Sequence, residues 1–362
     1  MITKILNKEE LTKADIIVLL NAEGDDLKTL FAKSTEIRNT YCGNKVYLRG
    51  LIELSNICSK DCLYCGIRKS NKNVDRYNLE DEEALQAARF AMENDFGSIV
   101  IQSGELQSEF NTKRIEYLCS ETKDLSDGTL GITLSCGEQT EEVYKRWYDA
   151  GAHRYLLRIE ASNRELYAKL HPNNDLHSFD KRLECLYLLK KAGYQMGTGV
   201  MIGLPFQTKE HLADDLLFMK EVDIDMCGMG PYIDHHETPL HQHRDILLPL
   251  EERFTLTLKM IAILRILMKD INIAATTALQ AIDELGREKA IQIGANVLMP
   301  NITPGMYRDN YDLYENKPCT DESPSDSAKS IEERIKLAGA EIGYDQWGDS
   351  KHFSKRIKKA KK

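Results

Sequence analysis

The chain reads as an α/β protein built on a single (β/α)8 TIM-type barrel, with a helical extension before it and a further extension after it. Three observations predict this. Short β-branched runs alternate strictly with amphipathic stretches, a pattern that implies parallel strands joined by crossover helices. The alternation supplies eight strand candidates, the number that closes a barrel. At 362 residues the chain suits one barrel with additions at its ends. The expected division is 1–44 for the N-terminal helical extension, 45–310 for the barrel, and 311–362 for the C-terminal extension and its basic tail.

In chain order, Lys8 to Tyr41 carries a helical pattern and the first strand candidate follows at Tyr47 to Leu54. The others are Ser98 to Ser103, Leu130 to Ser135, Arg154 to Glu160, Gln195 to Ile202, Met226 to Gly230, Ile271 to Thr276 and Ala295 to Met299. Helix patterns between them include Asp81 to Asn94, Thr140 to Gly151, Ser178 to Gly193, Lys209 to Val222 and Glu251 to Met268. Several close on glycine, as a helix C-terminus favours. No long period suggests a solenoid.

Composition excludes some roles. A formal charge of −9, with charged residues spread along the chain, offers no basic field for nucleic acid. The one basic run, Lys355 to Lys362, reads as a solvated tail. No apolar stretch approaches the ~20 residues that cross a bilayer, and Met1 to Glu9 lacks the apolar centre of a signal peptide, so the expected location is cytoplasmic, with no membrane partner. Nine cysteines, an odd count, fit reduced thiols. Cys119, Cys185 and Cys227 lie in apolar periodic segments and read as small core residues.

The chemistry concentrates in Ser-Asn-Ile-Cys-Ser-Lys-Asp-Cys-Leu-Tyr-Cys-Gly, which holds Cys58, Cys62 and Cys65. Three closely spaced thiolates can hold three corners of a 4Fe-4S cube and leave the fourth iron open to a ligand. The alternative is structural zinc, which takes four N or S ligands, usually as two close pairs. The first histidine of the chain is His153 and the only upstream thiol is Cys42, so zinc would have to borrow a ligand from a distant segment. The spacing therefore favours the cluster. The segment His235 to His243 also looks metal-like, but Pro239 interrupts any helix that would gather its four histidines on one face.

Barrel enzymes place their chemistry at the C-terminal ends of strands. Polar residues accumulate there: Gln102-Ser103-Gly104-Glu105, Ser135, Arg158 with Glu160, Met201, Thr276-Thr277 and Met299-Pro300-Asn301.

The Cys-x3-Cys-x2-Cys spacing, with Tyr64 before the third cysteine, resembles the signature of the radical S-adenosylmethionine (radical SAM) enzymes. A wider set of segments resembles the HydE family of FeFe-hydrogenase maturases: Val-Ile-Gln-Ser-Gly-Glu, Thr-Leu-Ser-Cys-Gly-Glu, His-Arg-Tyr-Leu-Leu-Arg-Ile-Glu-Ala, Gly-Leu-Pro-Phe-Gln-Thr, Ala-Ala-Thr-Thr-Ala and Gly-Ala-Asn-Val-Leu-Met-Pro-Asn. This similarity runs from about Lys45 to Tyr314.

The resemblance implies one 4Fe-4S cluster on Cys58, Cys62 and Cys65, and S-adenosylmethionine cleaved there to a 5′-deoxyadenosyl radical. It implies that Tyr64 lies beside the adenine, that Glu105 meets the amino group, and that Glu160 meets the ribose. Gly104-Glu105 matches the family's Gly-Gly-Glu in position, with Ser103 replacing the first glycine. Gln102 and Ser135 join this cofactor rim. Glu160 has a plainer reading as a surface carboxylate paired with Arg158. Arg182 either meets the cofactor carboxylate or closes a helix-surface ion pair, and Met201 either flanks the adenine or packs in the core.

The implied substrate is an organometallic precursor, an iron carbonyl-cyanide complex carrying cysteine, delivered by another radical SAM maturase. The implied electron donor is reduced ferredoxin or flavodoxin. An anionic substrate calls for a cationic, hydroxyl-lined cavity, for which Arg158, Thr276 and Thr277 are the candidates, with strand alternation turning only one threonine inward. Two departures from the family stand out. Its Cys-x7-Cys-x2-Cys accessory motif appears here as Cys319, Ser327 and Ser330, so no accessory 2Fe-2S cluster is expected, and Ile159 replaces the histidine beside the ribose acid. Methylornithine synthase, a lysine mutase, is the near alternative. Biotin synthase fits less well, because its second-cluster cysteine is here Thr198. A non-enzyme reading, an iron-sulfur electron carrier or zinc scaffold, requires a fourth cysteine or histidine and no cofactor rim.

Overall fold

The computed structural model describes residues 2–318 and 324–360 of the chain. Eight parallel strands close into a barrel: β1 (Lys45–Ser55), β2 (Ser98–Ser103), β3 (Gly131–Ser135), β4 (Ala152–Leu156), β5 (Gln195–Thr198), β6 (Met226–Cys227), β7 (Asn272–Ala275) and β8 (Val297–Leu298). Each pairs with its sequence neighbour, and β8 returns to β1 through Tyr47↔Val297 and Leu48↔Leu298. The predicted fold class is therefore observed.

Two of the expected strands are longer than the regular ladder. Beyond Leu156 the regular ladder stops and the Thr198 hydroxyl replaces a rung: it accepts from Ile159 N at 3.0 Å and donates to Leu157 O at 2.8 Å. The predicted strand Gln195 to Ile202 breaks at Gly199, because Gly199 and Gly228 pass so closely that a Cβ on Gly199 would collide with the Gly228 carbonyl. Past the break the two chains pair again, Met201–Ile202 with Gly230–Pro231, so this part of the barrel splays toward its C-terminal mouth.

The predicted helices appear with their ends trimmed, as Asp81–Glu93, Glu141–Asp149, Phe179–Lys191, Lys209–Glu221 and Leu250–Leu267. Thr140, Ser178 and Thr208 cap three of them, each side chain accepting a backbone N–H three residues on. Leu250–Leu267 is buried on nearly all sides because the N-terminal helices Lys13–Leu20 and Gly24–Tyr41 cover its outer face. Cys119, Cys185 and Cys227 are buried in the core.

The C-terminal extension closes the N-terminal mouth. A short strand, β9 (Glu341–Ile342), adds to the start of β1, and the chain then crosses beneath the barrel. Arg49 and Asn272 donate to Gly348 O at 3.2 and 2.7 Å, and Arg154 donates to Trp347 O and Asp349 at 2.9 and 2.7 Å. The run from Lys355 lies in the helix Lys351–Ala360, so the expectation of a solvated tail holds for the exposed Lys355, Lys358 and Lys359 and fails for Arg356, which docks on the barrel. Lys355 pairs with Asp270 at 2.7 Å and Arg356 with Asp225 at 2.6 Å, because three aspartates at the base of the barrel offer the basic run a partner surface. Cys319 and the side chains of Ser327 and Ser330 lie outside the described residues. Among the described residues no helix is long and apolar enough to cross a membrane.

Candidate active site

The C-terminal ends of the strands surround a cavity of about 350 Å³, within the size range of small-molecule sites. Cys58, Cys62 and Cys65 form one wall, in the loop that leaves β1. Arg76 fixes that loop: its guanidinium donates to the carbonyls of Asn56, Ile67, Arg68 and Asn71 at 2.6–2.9 Å. The backbone N–H groups of Lys60 and Glu105 point at the Cys58 sulfur, 3.4 and 3.3 Å away. Gly104 makes the second contact possible, since a Cβ there would collide with Ile57 O.

Burial pushes the Cys62 thiol up to about 12 and raises Cys58 as well, the latter opposed by its two backbone N–H donors. Such thiols stay protonated in isolation and ionise against a metal. Among the described residues no three His, Cys, Asp or Glu side chains converge on a single ion. Three separate thiols on one wall, with N–H groups aimed at sulfur and an adjoining polar chamber, fit a multinuclear cluster that keeps one corner toward the cavity.

Next to this wall stands a buried quartet of charges. Lys60 lies 3.1 Å from Glu105 and 2.9 Å from Glu138, and Arg182 lies 2.6 Å from Glu138 and 3.6 Å from Glu105. Lys60 also donates to Leu176 O. Burial raises the Glu105 carboxyl, and the Arg182 charge partly offsets it. Arg182 is thus not a helix-surface pair, since it is enclosed and clamps two carboxylates. Lys60 and Glu138 were missed from sequence, although a signal existed: Gly137-Glu138 after β3 repeats Gly104-Glu105 after β2. A Cβ on Gly137 would collide with the Glu105 side chain.

Tyr64, Met201, Arg158 and Glu160 line the next sector. Tyr64 and Met201 pack against a small apolar cluster containing Ala161, Leu204 and Tyr232, so Met201 both lines the cavity and packs. Glu160 is only 13% exposed and pairs with Arg158 at 2.9 Å. The pairing in the plainer reading is correct and its surface location is not. Burial raises the Glu160 carboxyl against the opposing pull of Arg158 and Arg182. Its φ of +66° is unusual outside glycine.

Gln102, Ser103, Gly104, Ser135, Thr276 and Thr277 complete the lining. Both threonines face the cavity, which corrects the expectation of one. Strand alternation stops at Ala275, where Thr276 precedes the short helix Thr277–Gln280. Sequence reasoning also overlooked Glu53 and Lys317, paired at 2.6 Å, with Asn301 donating to Glu53 at 2.9 Å. Lys317 and Tyr311 come from the C-terminal extension. The histidine segment holds that extension in place, His235 on Asp312 at 2.8 Å and His236 on Glu315 at 2.9 Å. His241 likewise pairs with Asp234 at 3.0 Å, and His243 packs edge-on against Phe206.

Comparison with known proteins follows the same outline. Residues 52–219 match the model of the radical SAM superfamily. The chain is 45% identical over 330 residues, 91% of each chain, to the [FeFe] hydrogenase maturase subunit HydE of Thermotoga maritima. It superposes on the crystal structure of methylornithine synthase with a TM-score of 0.79 and 25% identity, over 95% of this chain and 97% of that one. The maturase HydG of Carboxydothermus hydrogenoformans shares the fold, with a TM-score of 0.81 at 20% identity, over 97% of this chain and 81% of that one.

Proposed function

The chain belongs to the radical SAM superfamily and, within it, to the family of the HydE maturase, and on that premise we propose that it acts in assembling the organometallic cofactor of [FeFe]-hydrogenase. The observation that carries this reading is the 45% identity across 91% of both chains, against 25% for methylornithine synthase on the same fold. The family implies a 4Fe-4S cluster and S-adenosylmethionine. When bound, the reduced cluster supplies the electron that cleaves the sulfonium C5′–S bond to give the 5′-deoxyadenosyl radical.

The protein's own residues bind, orient and shield. Cys58, Cys62 and Cys65 hold one cluster and leave one corner for the amino acid end of the cofactor, with no accessory 2Fe-2S cluster on the C-terminal extension. Glu105 receives the cofactor ammonium, held in place by Lys60 and Arg182, the two cations it shares with Glu138. Arg182 offers its remaining donors to the cofactor carboxylate. Glu160 accepts from the ribose hydroxyls, and Tyr64 and Met201 enclose the adenine. Gln102, Ser103, Gly104 and Ser135 form the floor between them.

Across the cavity, Arg158 with Thr276 and Thr277 receives an anionic iron carbonyl-cyanide precursor carrying cysteine, made by another radical SAM maturase. The Arg158 Nε has no hydrogen-bond partner among the described residues. A dicationic diamino acid placed there would leave an ammonium buried beside a guanidinium, at a cost of several kcal/mol. Reduced ferredoxin or flavodoxin supplies the electron.

The test is reconstitution. Combined with the other maturases, the protein is expected to yield active [FeFe]-hydrogenase, and Arg158→Ala to abolish that yield with iron content and cofactor binding intact. Conversion of lysine to methylornithine, without hydrogenase maturation, overturns the substrate assignment.

A further inference from the structure

The helix Lys209–Glu221 carries Asp215 into the interior, where it is fully buried. One oxygen of this carboxylate, Oδ1, accepts two hydrogen bonds from a single residue, Ser162: the backbone N–H at 2.7 Å and the hydroxyl at 2.6 Å. The other oxygen, Oδ2, has no hydrogen-bond partner among the described residues. No cation pairs with Asp215 among the described residues, and its neighbour Asp214 adds like charge. Burial pushes the Asp215 carboxyl up to about 7, against the pull of the two Ser162 bonds. An unpaired buried charge is costly, and a fold retains one where it does something else.

Ser162 lies two residues past Glu160, in a turn that is tied down on both sides. Glu160 N donates to Gly199 O at 3.0 Å and Glu160 O accepts from Met201 N at 3.1 Å, so the sheet holds its backbone. Asn163 caps the following helix, Arg164–Leu170, accepting Leu166 N at 2.9 Å. Between these anchors the chain must turn sharply enough to put Glu160 in the left-handed region, at φ +66°. A glutamate there is strained and persists only where its surroundings over-determine it. Ala161 is buried and presents only a methyl group. The remaining tie is the pair of bonds from Ser162 to Asp215.

We propose that Asp215 is a positioning residue for Glu160: by gripping Ser162 with a charged oxygen it holds the turn that aims the Glu160 carboxylate into the cavity. Charge-assisted hydrogen bonds are the strong kind, and an amide oxygen in the same place grips less firmly. The buried charge is thus retained for aim rather than for stability. This rests on the reading that Glu160 contacts the cofactor, and the variants below separate the two.

Asp215→Asn keeps an acceptor for Ser162 while removing the buried charge. Expected at pH 8 is a thermal midpoint equal to or above that of the unaltered protein, an unchanged iron content, and roughly tenfold weaker S-adenosylmethionine binding by anaerobic calorimetry. In a Glu160→Ala background, itself weakened, Asp215→Asn should add nothing, because its effect passes through that carboxylate. Ser162→Ala, which removes one of the two donors, should fall between. Unchanged binding in Asp215→Asn, an equal loss in the Glu160→Ala background, or a loss of affinity accompanied by a lowered thermal midpoint each overturns the proposal. If Glu160→Ala alone binds as well as the unaltered protein, the cofactor role of Glu160 fails first.

Discussion

The two mouths of the barrel both bury charge, and they satisfy it by opposite means. At the N-terminal mouth Arg49 and Arg154 are 4% and 0% exposed. Their partners there are backbone carbonyls of the C-terminal extension, the Met226 sulfur, the Thr133 hydroxyl and a single carboxylate, Asp349. Burial pulls Arg154 down to about 10, with Asp349 restoring part of the loss. At the C-terminal mouth the charges are held mainly by one another around an open chamber, as in Lys60, Glu105, Glu138 and Arg182, or Arg158 with Glu160, with the carbonyls of Leu176 and Val200 as additional acceptors for Lys60 and Arg158. Backbone partners cannot move without unfolding, whereas side-chain partners can exchange when a ligand arrives. The lower mouth therefore locks the fold, and the upper mouth holds charge in a form that can be redirected to cofactor and substrate.

The contrast breaks first at the cysteines. Anaerobically reconstituted protein should hold about four irons per chain, and Cys62→Ala should lose them. Its denaturation midpoint before reconstitution should barely change, since the loop is tied by Arg76 and not by the thiol. A full iron complement in this variant counts against the cluster assignment, and a collapsed fold counts against the division of labour between the mouths.

The reverse experiment is made below. Asp349→Ala leaves Arg154 buried without its carboxylate, which costs roughly 2–4 kcal/mol after allowance for the partial exposure of Asp349. The denaturant midpoint should fall while iron content and cofactor affinity at saturating stability stay as they were. Equal loss of affinity and stability would mean that the two mouths are not separable.

The same difference explains what sequence reading could reach. The upper mouth was legible because its residues sit at the ends of strands, in a position that the period of the pattern marks, and because three cysteines in one loop have few other uses. Lys60 and Glu138 escaped because a lysine between two cysteines and a second Gly-Glu look like ordinary loop residues until their side chains are seen to meet. Only one of Thr276 and Thr277 was expected to face inward, because alternation was carried past the end of the strand at Ala275. The lower mouth was almost illegible. Its closure joins Arg49, Arg154 and Asn272 to residues 347–350, and nothing in the local pattern of the C-terminal extension tells a basic helix seeking aspartates from a solvated tail.

The smallest predicted effect concerns that helix and the sign of its pH dependence. His352 on Lys351–Ala360 sits between Asp270, at 3.0 Å from Nδ1, and Asp223, at 2.6 Å from Nε2. The hydrogen bond to Asp270 raises its pKa, burial opposes the rise, and the bond to Asp223 adds to it. A raised folded value means that the docked helix binds the proton more tightly than the free one. This stabilisation is complete below the ordinary histidine pKa of about 6.5 and is lost as pH climbs through the raised value. Asp270, pulled down to about 2 chiefly by His352, contributes above the ordinary carboxylate range and fails only in strong acid. Asp225 runs the other way, pushed up to about 6 by burial despite Arg356, so its share falls as pH rises toward that value. As pH rises above about 6.5 the histidine is the group among these that titrates. Amide protection in residues 351–360, measured by hydrogen exchange and corrected for the intrinsic rate, should therefore decline over that rise while the barrel strands hold theirs. Partial exposure of the imidazole limits the change to about 1 kcal/mol or less. His352→Gln should flatten the profile, because a glutamine cannot gain the proton. A decline of the same size in that variant would assign the dependence to another group, and protection constant to pH 9 would mean that Lys355 and Arg356 alone hold the helix against the base of the barrel.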